Sequence, residues 1–250
     1  MTEETPQDGA LQRDLAFSYH LYCPVDSSGD CFFLLHGSGV DETTLVTLAQ
    51  EISPRAMLIA VRGRIVQEDG FRWFARITPT RFEQHSIRTE SDAIASFVTD
   101  VATRHHLDLT RTTFLGYSNG ANLISSLMLL HPGLVERAAL LRPMPVLDDV
   151  PATDLSKVRV LIIAGAADLT YAPFAPALVT LLSQHGAEID ARIVPSGHEF
   201  GSADAVIVRQ WLSGSAAVGL TSMTCLPTLV PSCSRRPARR SCRLRRASDN

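Results

Sequence analysis

No stretch of this chain reaches the ~18 consecutive apolar residues that a membrane-crossing helix needs, so no membrane partner is expected. The N-terminus, MTEETPQDGALQRD, lacks the basic start and apolar core of a secretory signal, and a cytoplasmic enzyme is expected. Cysteine is scarce: Cys23, Cys31, Cys225, Cys233 and Cys242 make an odd five with no C-x-x-C pair. That argues against a disulfide framework, a structural zinc site and a thioredoxin-like centre. His20, His85, His105 and His106 form no metal-ligand spacing, and neither G-x-G-x-x-G nor a P-loop occurs. Metal and cofactor are therefore both expected to be absent. No internal repeat is visible.

What is present is enough for one large core. At 250 residues and 45% hydrophobic, a chain buries roughly 70% of its unfolded surface, and a single α/β domain is the prior. The net charge of −3 hides an asymmetry: residues 215–250 hold seven arginines and one acid, Asp249, which leaves −9 for the rest. The basic tail has no aromatic stacking residue and no helical periodicity, so it is not expected to bind nucleic acid. Its Ser/Arg/Pro/Cys bias breaks abruptly with what precedes it, as an unselected extension would. The expected organisation is a flexible N-terminus over 1–14, one domain over 15–213 and an Arg/Ser-rich disordered tail over 214–250.

Apolar runs alternate with helical periodicity along the domain. Strands are expected at LAFSYHLYCP, DCFFLLHGSG, AMLIAVRG, RTTFLGY, ERAALLRPM, VRVLIIAGAAD and IDARIVPSG. Helices are expected over LVTLAQEIS, from Ser91 onward through Ile94, Phe97, Val98, Val101 and Ala102, over Ala121–Leu130, over Pro176–His185 and over Ala203–Leu212. The helix from Ala121 is apolar nearly all round and so is buried; it ends at HPG, as a proline requires. Strand–helix alternation with continuous Val/Ile/Leu strands predicts a mostly parallel central sheet covered on both faces. Functional groups are then expected at the carboxyl ends of the strands.

At one such end stands Gly116-Tyr117-Ser118-Asn119-Gly120, a G-x-S-x-G motif between a strand and a buried helix. This is the setting of a nucleophile elbow: the turn is tight, small residues flank it, and the serine is lifted clear of the sheet. The helix N-terminus behind the serine favours developing negative charge. A serine hydroxyl needs a base, and the base an orienting acid. Where this elbow occurs, the chain order is Ser, acid, His. His198, in VPSGHEF after a strand, is the expected base ahead of His131 and His185. Asp168, closing VLIIAGAAD, is the expected acid ahead of Asp148 and Asp149. Backbone N–H groups of Asn119 and of Ser38, in the loop LLHGSG, are expected to form the oxyanion hole. His36 is expected to hold that loop in shape.

FLLHGSGVDE, VRG, FRWFAR, GYSNGANL, LLHP, LLRPM, IAGAAD and SGHEF, in this order, resemble the small bacterial carboxylesterase/phospholipase branch of the α/β-hydrolases. The subgroup with the hydroquinone-resistance hydrolases is the most similar. The resemblance runs from Leu15 to Leu212 and implies a serine esterase using Ser118, Asp168 and His198, with Ser38 and Asn119 as oxyanion donors. The tail has no counterpart in it. Only Pro145–Lys157, 13 residues, separate the two strands between which many enzymes of this fold insert a cap domain, so no cap is expected. The connection from Arg64 to Glu90 holds Phe71, Trp73, Phe74 and Phe82; Trp73 and Phe74 are expected to line an acyl or aryl pocket. Arg142-Pro143-Met144 is expected to form its floor, with Met144 facing the substrate. The partners expected are a small-molecule ester and, at most, a second copy of the chain as a homodimer. The competing readings are a thioesterase with the same triad and a non-catalytic binding protein.

Overall fold

Runs such as CFFLL and MLIAV are apolar at every position because helices cover both faces of the sheet they build. The computed structural model describes residues 9–67 and 70–214. Its strands are β1 (Leu11–Gln12), β2 (Tyr19–Tyr22), β3 (Cys31–Leu35), β4 (Met57–Val61), β5 (Ile65–Gln67), β6 (Gly70–Arg72), β7 (Arg76–Thr78), β8 (Arg81–Phe82), β9 (Thr112–Tyr117), β10 (Arg137–Leu141), β11 (Arg159–Gly165) and β12 (Glu188–Val194). Its α-helices are α1 (Val46–Ile52), α2 (Gln84–Arg104), α3 (Asn119–Leu130), α4 (Ala175–Gln184) and α5 (Ser202–Leu212).

Eight strands form one sheet in the order β1-β2-β4-β3-β9-β10-β11-β12. Pairing is parallel from β4 to β12 and antiparallel at β1–β2 and β2–β4. The two-residue period of each strand splits its side chains between two cores. Phe33, Leu35, Ile59, Val61, Phe114, Leu140 and Ile162 face α2, α3 and α4. Phe32, Leu34, Leu58, Ala60, Leu115, Leu141 and Ile163 face α1 and α5. Each large side chain buried in this way contributes roughly 1.5–3 kcal/mol relative to exposure. No cap interrupts the segment between β10 and β11.

Two boundaries differ from the expectation. Residues 9–14 are tied down: β1 pairs with β2, and Gly9 N–H donates to Leu21 O (2.9 Å). Helix α2 begins at Gln84, about two turns before Ser91. Its early inward positions are Ile87, Glu90 and Ser91, and two of these three are polar, so hydrophobic periodicity does not reveal them. Burial at Glu90 is achieved by Arg64, whose Nε and Nη2 donate to its two oxygens at 3.0 and 2.9 Å. The rest of the Arg64–Glu90 connection is two small antiparallel hairpins, β5–β6 and β7–β8. The expected tail over 214–250 lies outside the described residues apart from Gly214. Among the described residues no helix is long and apolar enough to cross a membrane.

Candidate active site

Ser118 sits between β9 and α3 with φ 50° and ψ −112°, a left-handed conformation that a non-glycine residue holds only at a cost of order 1–3 kcal/mol. The surroundings enforce it. Ser118 N–H donates to Leu141 O (2.8 Å), and Ser118 O accepts the first helical bond from Asn122 N–H (2.9 Å). The two flanking glycines leave the needed room. A Cβ on Gly120 would lie 2.1 Å from Leu35 O, and one on Gly116 would lie 2.6 Å from Ile124 Cδ1 and 2.7 Å from the Ala121 backbone.

From this turn a hydrogen-bonded chain runs outward. Ser118 Oγ lies 2.9 Å from His198 Nε2, and His198 Nδ1 lies 2.7 Å from Asp168 Oδ2. Asp168 is buried, and its other oxygen accepts from the N–H groups of Thr170 (3.2 Å) and Tyr171 (2.9 Å). Those bonds aim the carboxylate and occupy its second oxygen. The imidazole is flanked by Tyr171 and Tyr117, with ring centroids at 4.7 and 5.4 Å. The rival groups lie elsewhere: His131 pairs with Asp92, His185 Nδ1 bonds its own helix at Leu181 O, and Asp149 pairs with Arg88.

The loop after β3 is organised by His36. Its Nε2 accepts from Gly63 N–H (2.9 Å), so the ring proton sits on Nδ1 and is donated to Gly37 O (2.6 Å). The Gly37 carbonyl and the Ser38 N–H share one planar trans peptide. Fixing that carbonyl toward His36 turns the Ser38 N–H the opposite way. The next amide, Gly39 N–H, is committed to Phe71 O (3.0 Å). Burial pushes the His36 imidazole from its ordinary 6.5 down to about 4, which keeps it neutral as this arrangement requires. The folded state thus resists a proton that the unfolded chain accepts, and stability present above pH 6.5 is lost as pH falls toward 4. The expected loss from this residue is up to about 3 kcal/mol. Urea unfolding at pH 7 and pH 4.5 should give a His36→Asn variant with a smaller acid-induced loss than the wild type. Equal losses would refute it.

Ser38, Ser118, Asn119 and Met144 all line one cleft of about 290 Å³ including its open mouth, together with Arg72, Arg76, Pro79, Phe82, Asn122, Arg142 and Tyr171. Trp73 and Phe74 are not among these residues, contrary to the expectation. Both are fully buried in the core. Trp73 packs on His36 and Phe17, its Nε1–H donates to His36 O (2.8 Å), and its N–H donates to Asn119 Oδ1 (2.8 Å). Phe74 packs edge-on against Phe82. The β5–β6 hairpin therefore turns these two rings inward and ties the loop after β3 to the serine turn, leaving Phe82 and Tyr171 as the aromatic side chains on the cleft. The structural roles of two polar residues, Asn122 in α3 and Arg142 just past β10, are not legible in the sequence. Asn122 Oδ1 accepts from Met144 N–H (2.8 Å) and so fixes that wall, and Arg142 has the role argued below. A larger depression of about 1270 Å³, likewise including its open mouth, lies near Asp92 and His131 and shares no residue with this site. Among the described residues no group of three or more His, Cys, Asp or Glu could hold a metal.

No protein-family model matches the chain. The structure of a carboxylesterase from Mesorhizobium loti is 68% identical, covers 83% of this chain and 100% of that one, and superposes with a TM-score of 0.82. The chain belongs to the α/β-hydrolase carboxylesterases. The Bacillus subtilis (strain 168) protein named "Putative hydrolase MhqD" is 28% identical over 193 residues, covering 77% of this chain and 96% of that protein. A carboxylesterase from Bacillus cereus, 24% identical with a TM-score of 0.76 over 80% of this chain and 95% of that one, shares the fold.

Proposed function

We propose that Ser118, His198 and Asp168 form the catalytic triad of a serine carboxylesterase acting on small esters. The observation that carries this is the chain from Ser118 Oγ through His198 to Asp168, at 2.9 and 2.7 Å, on a strained turn before a helix. His198 Nε2 takes the Ser118 proton as Oγ attacks the acyl carbon. The oxyanion is held by the N–H groups of Ser38 and Asn119, with the N-terminus of α3 behind it. His198 then protonates the departing alcohol, and a water activated by the same nitrogen hydrolyses the acyl-enzyme. Asp168 holds the imidazole tautomer with its proton on Nδ1 and stabilises the imidazolium that forms.

The small cleft and the uninterrupted segment between β10 and β11 support short acyl groups. Across a p-nitrophenyl ester series, kcat/KM should be highest between acetyl and hexanoyl and fall by dodecanoyl. A steady rise to palmitoyl would overturn the small-ester reading.

A further inference from the structure

Arg142 is the first residue past β10, precedes Pro143 and has φ 54°, a strained conformation for a side chain of this size. Its N–H still continues the sheet by donating to Ile163 O (2.8 Å). The guanidinium is wholly buried and reaches across the strand ends to the loop that carries His198. Nε donates to Gly197 O (3.1 Å), and Nη2 donates to Glu199 O (2.7 Å), Ser196 Oγ (2.9 Å) and Asp204 Oδ2 (3.1 Å). Nη1 donates to Asp204 Oδ1 (2.8 Å) and Ile163 O (3.3 Å). Asp204 Oδ2 in turn accepts from Gly201 N–H (2.9 Å) at the start of α5.

The carbonyls on both sides of His198 are therefore held by one side chain, and that side chain is anchored by an ion pair to the helix that follows. Stability alone does not call for this. A buried ion pair is often no more stabilising than apolar residues of similar volume. Here five of the six bonds end on the loop around His198 or on the residue that anchors it, rather than being spread through the core. A planar fork with five donors suits this task, whereas a lysine offers one point charge on a flexible stem.

We propose that Arg142 is a positioning residue that sets the reach of His198 to Ser118 by gripping the loop from both sides. This rests on the reading of His198 as the base. Arg142→Lys retains the charge facing Asp204 but loses the fork. Displacement of a catalytic group by about 1 Å can cost 10²-fold, so kcat on p-nitrophenyl acetate should fall about 10–100-fold. KM should stay within about threefold, because the residue acts on the base rather than on ester binding. Amide hydrogen exchange read by mass spectrometry should quicken over residues 196–201 and stay unchanged in α2 and α3.

A folded Arg142→Lys protein with wild-type kcat and wild-type exchange overturns the proposal, and so does exchange that quickens evenly over the whole sheet. If the lysine variant does not fold, Ser196→Ala decides, since it removes the Nη2–Oγ bond and, besides it, only the long Oγ–H donation to Glu199 O (3.4 Å). A several-fold drop in kcat with faster exchange at 196–201 supports the grip, and wild-type values in both refute it. If the wild-type protein hydrolyses no ester, the esterase reading fails by itself, and the exchange measurement still judges the grip.

Discussion

Ser118→Ala is expected to lower kcat on p-nitrophenyl acetate by about 10⁴–10⁶-fold, the range set by nucleophile knockouts in serine hydrolases, while the protein stays folded. The two halves of this expectation have separate causes. The hydroxyl oxygen is the only heavy atom lost, and the reaction has no other group at the end of the His198 chain to attack the acyl carbon. The alanine keeps the Cβ, so the strained turn and its backbone bonds to Leu141 and Asn122 persist. The stability change should stay near the ~1 kcal/mol of one hydrogen bond, here the 2.9 Å contact to His198. An organophosphonate should add one mass increment to the wild type, located on Ser118 by peptide mapping, and none to the variant. Activity that survives in a variant of verified mass, or a label on another residue, would remove Ser118 from its role.

The elements most legible in the sequence are those whose burial is two-sided. CFFLL, MLIAV and VLIIAG admit no exposed face, and the structure makes each of them a central strand. The turn at Ser118 is legible for a related reason: backbone contacts of 2.1 Å and 2.7 Å exclude a side chain on either flanking glycine, so the spacing itself is a steric record. The three residues of the proposed triad stand out in the sequence because each follows a strand within four residues. The burial of Trp73 and Phe74 is not legible, since aromatic side chains in a long connection suit either a ligand wall or a core, and the sequence carries no sign of which way a hairpin turns. The start of α2 was hidden because Glu90 is buried with Arg64 as its partner, an ion pair formed between residues 26 apart in sequence. For Arg142 the sequence suggests a place on the pocket floor and nothing of its bonds. Its grip on Gly197 and Glu199 spans 55 and 57 residues, and no local pattern encodes a contact of that range.

The proposed oxyanion role of the loop after β3 is tested by separating backbone from side chain. If Ser38 acts through its N–H, its hydroxyl is incidental, and Ser38→Ala should keep kcat/KM within about threefold of wild type. Ser38→Pro deletes the N–H, and loss of one oxyanion donor costs about 10²–10³-fold in kcat. The direction of that N–H follows from the His36 Nδ1–H bond to Gly37 O at 2.6 Å, which proline does not touch, because the carbonyl belongs to the preceding residue. Proline does restrict the backbone of Gly37 before it, so loop distortion must be separated from loss of the donor. The melting temperature reports on the fold, and the rate of phosphonate labelling reports whether Ser118 is still reachable. The expected variant melts within a few degrees of wild type, still takes the label in full on long incubation, and turns over slowly. If Ser38→Ala is as impaired as Ser38→Pro, the hydroxyl is the working group. If both keep full activity, the second donor lies elsewhere in the cleft, and Asn119 N–H is the one remaining assignment for the oxyanion.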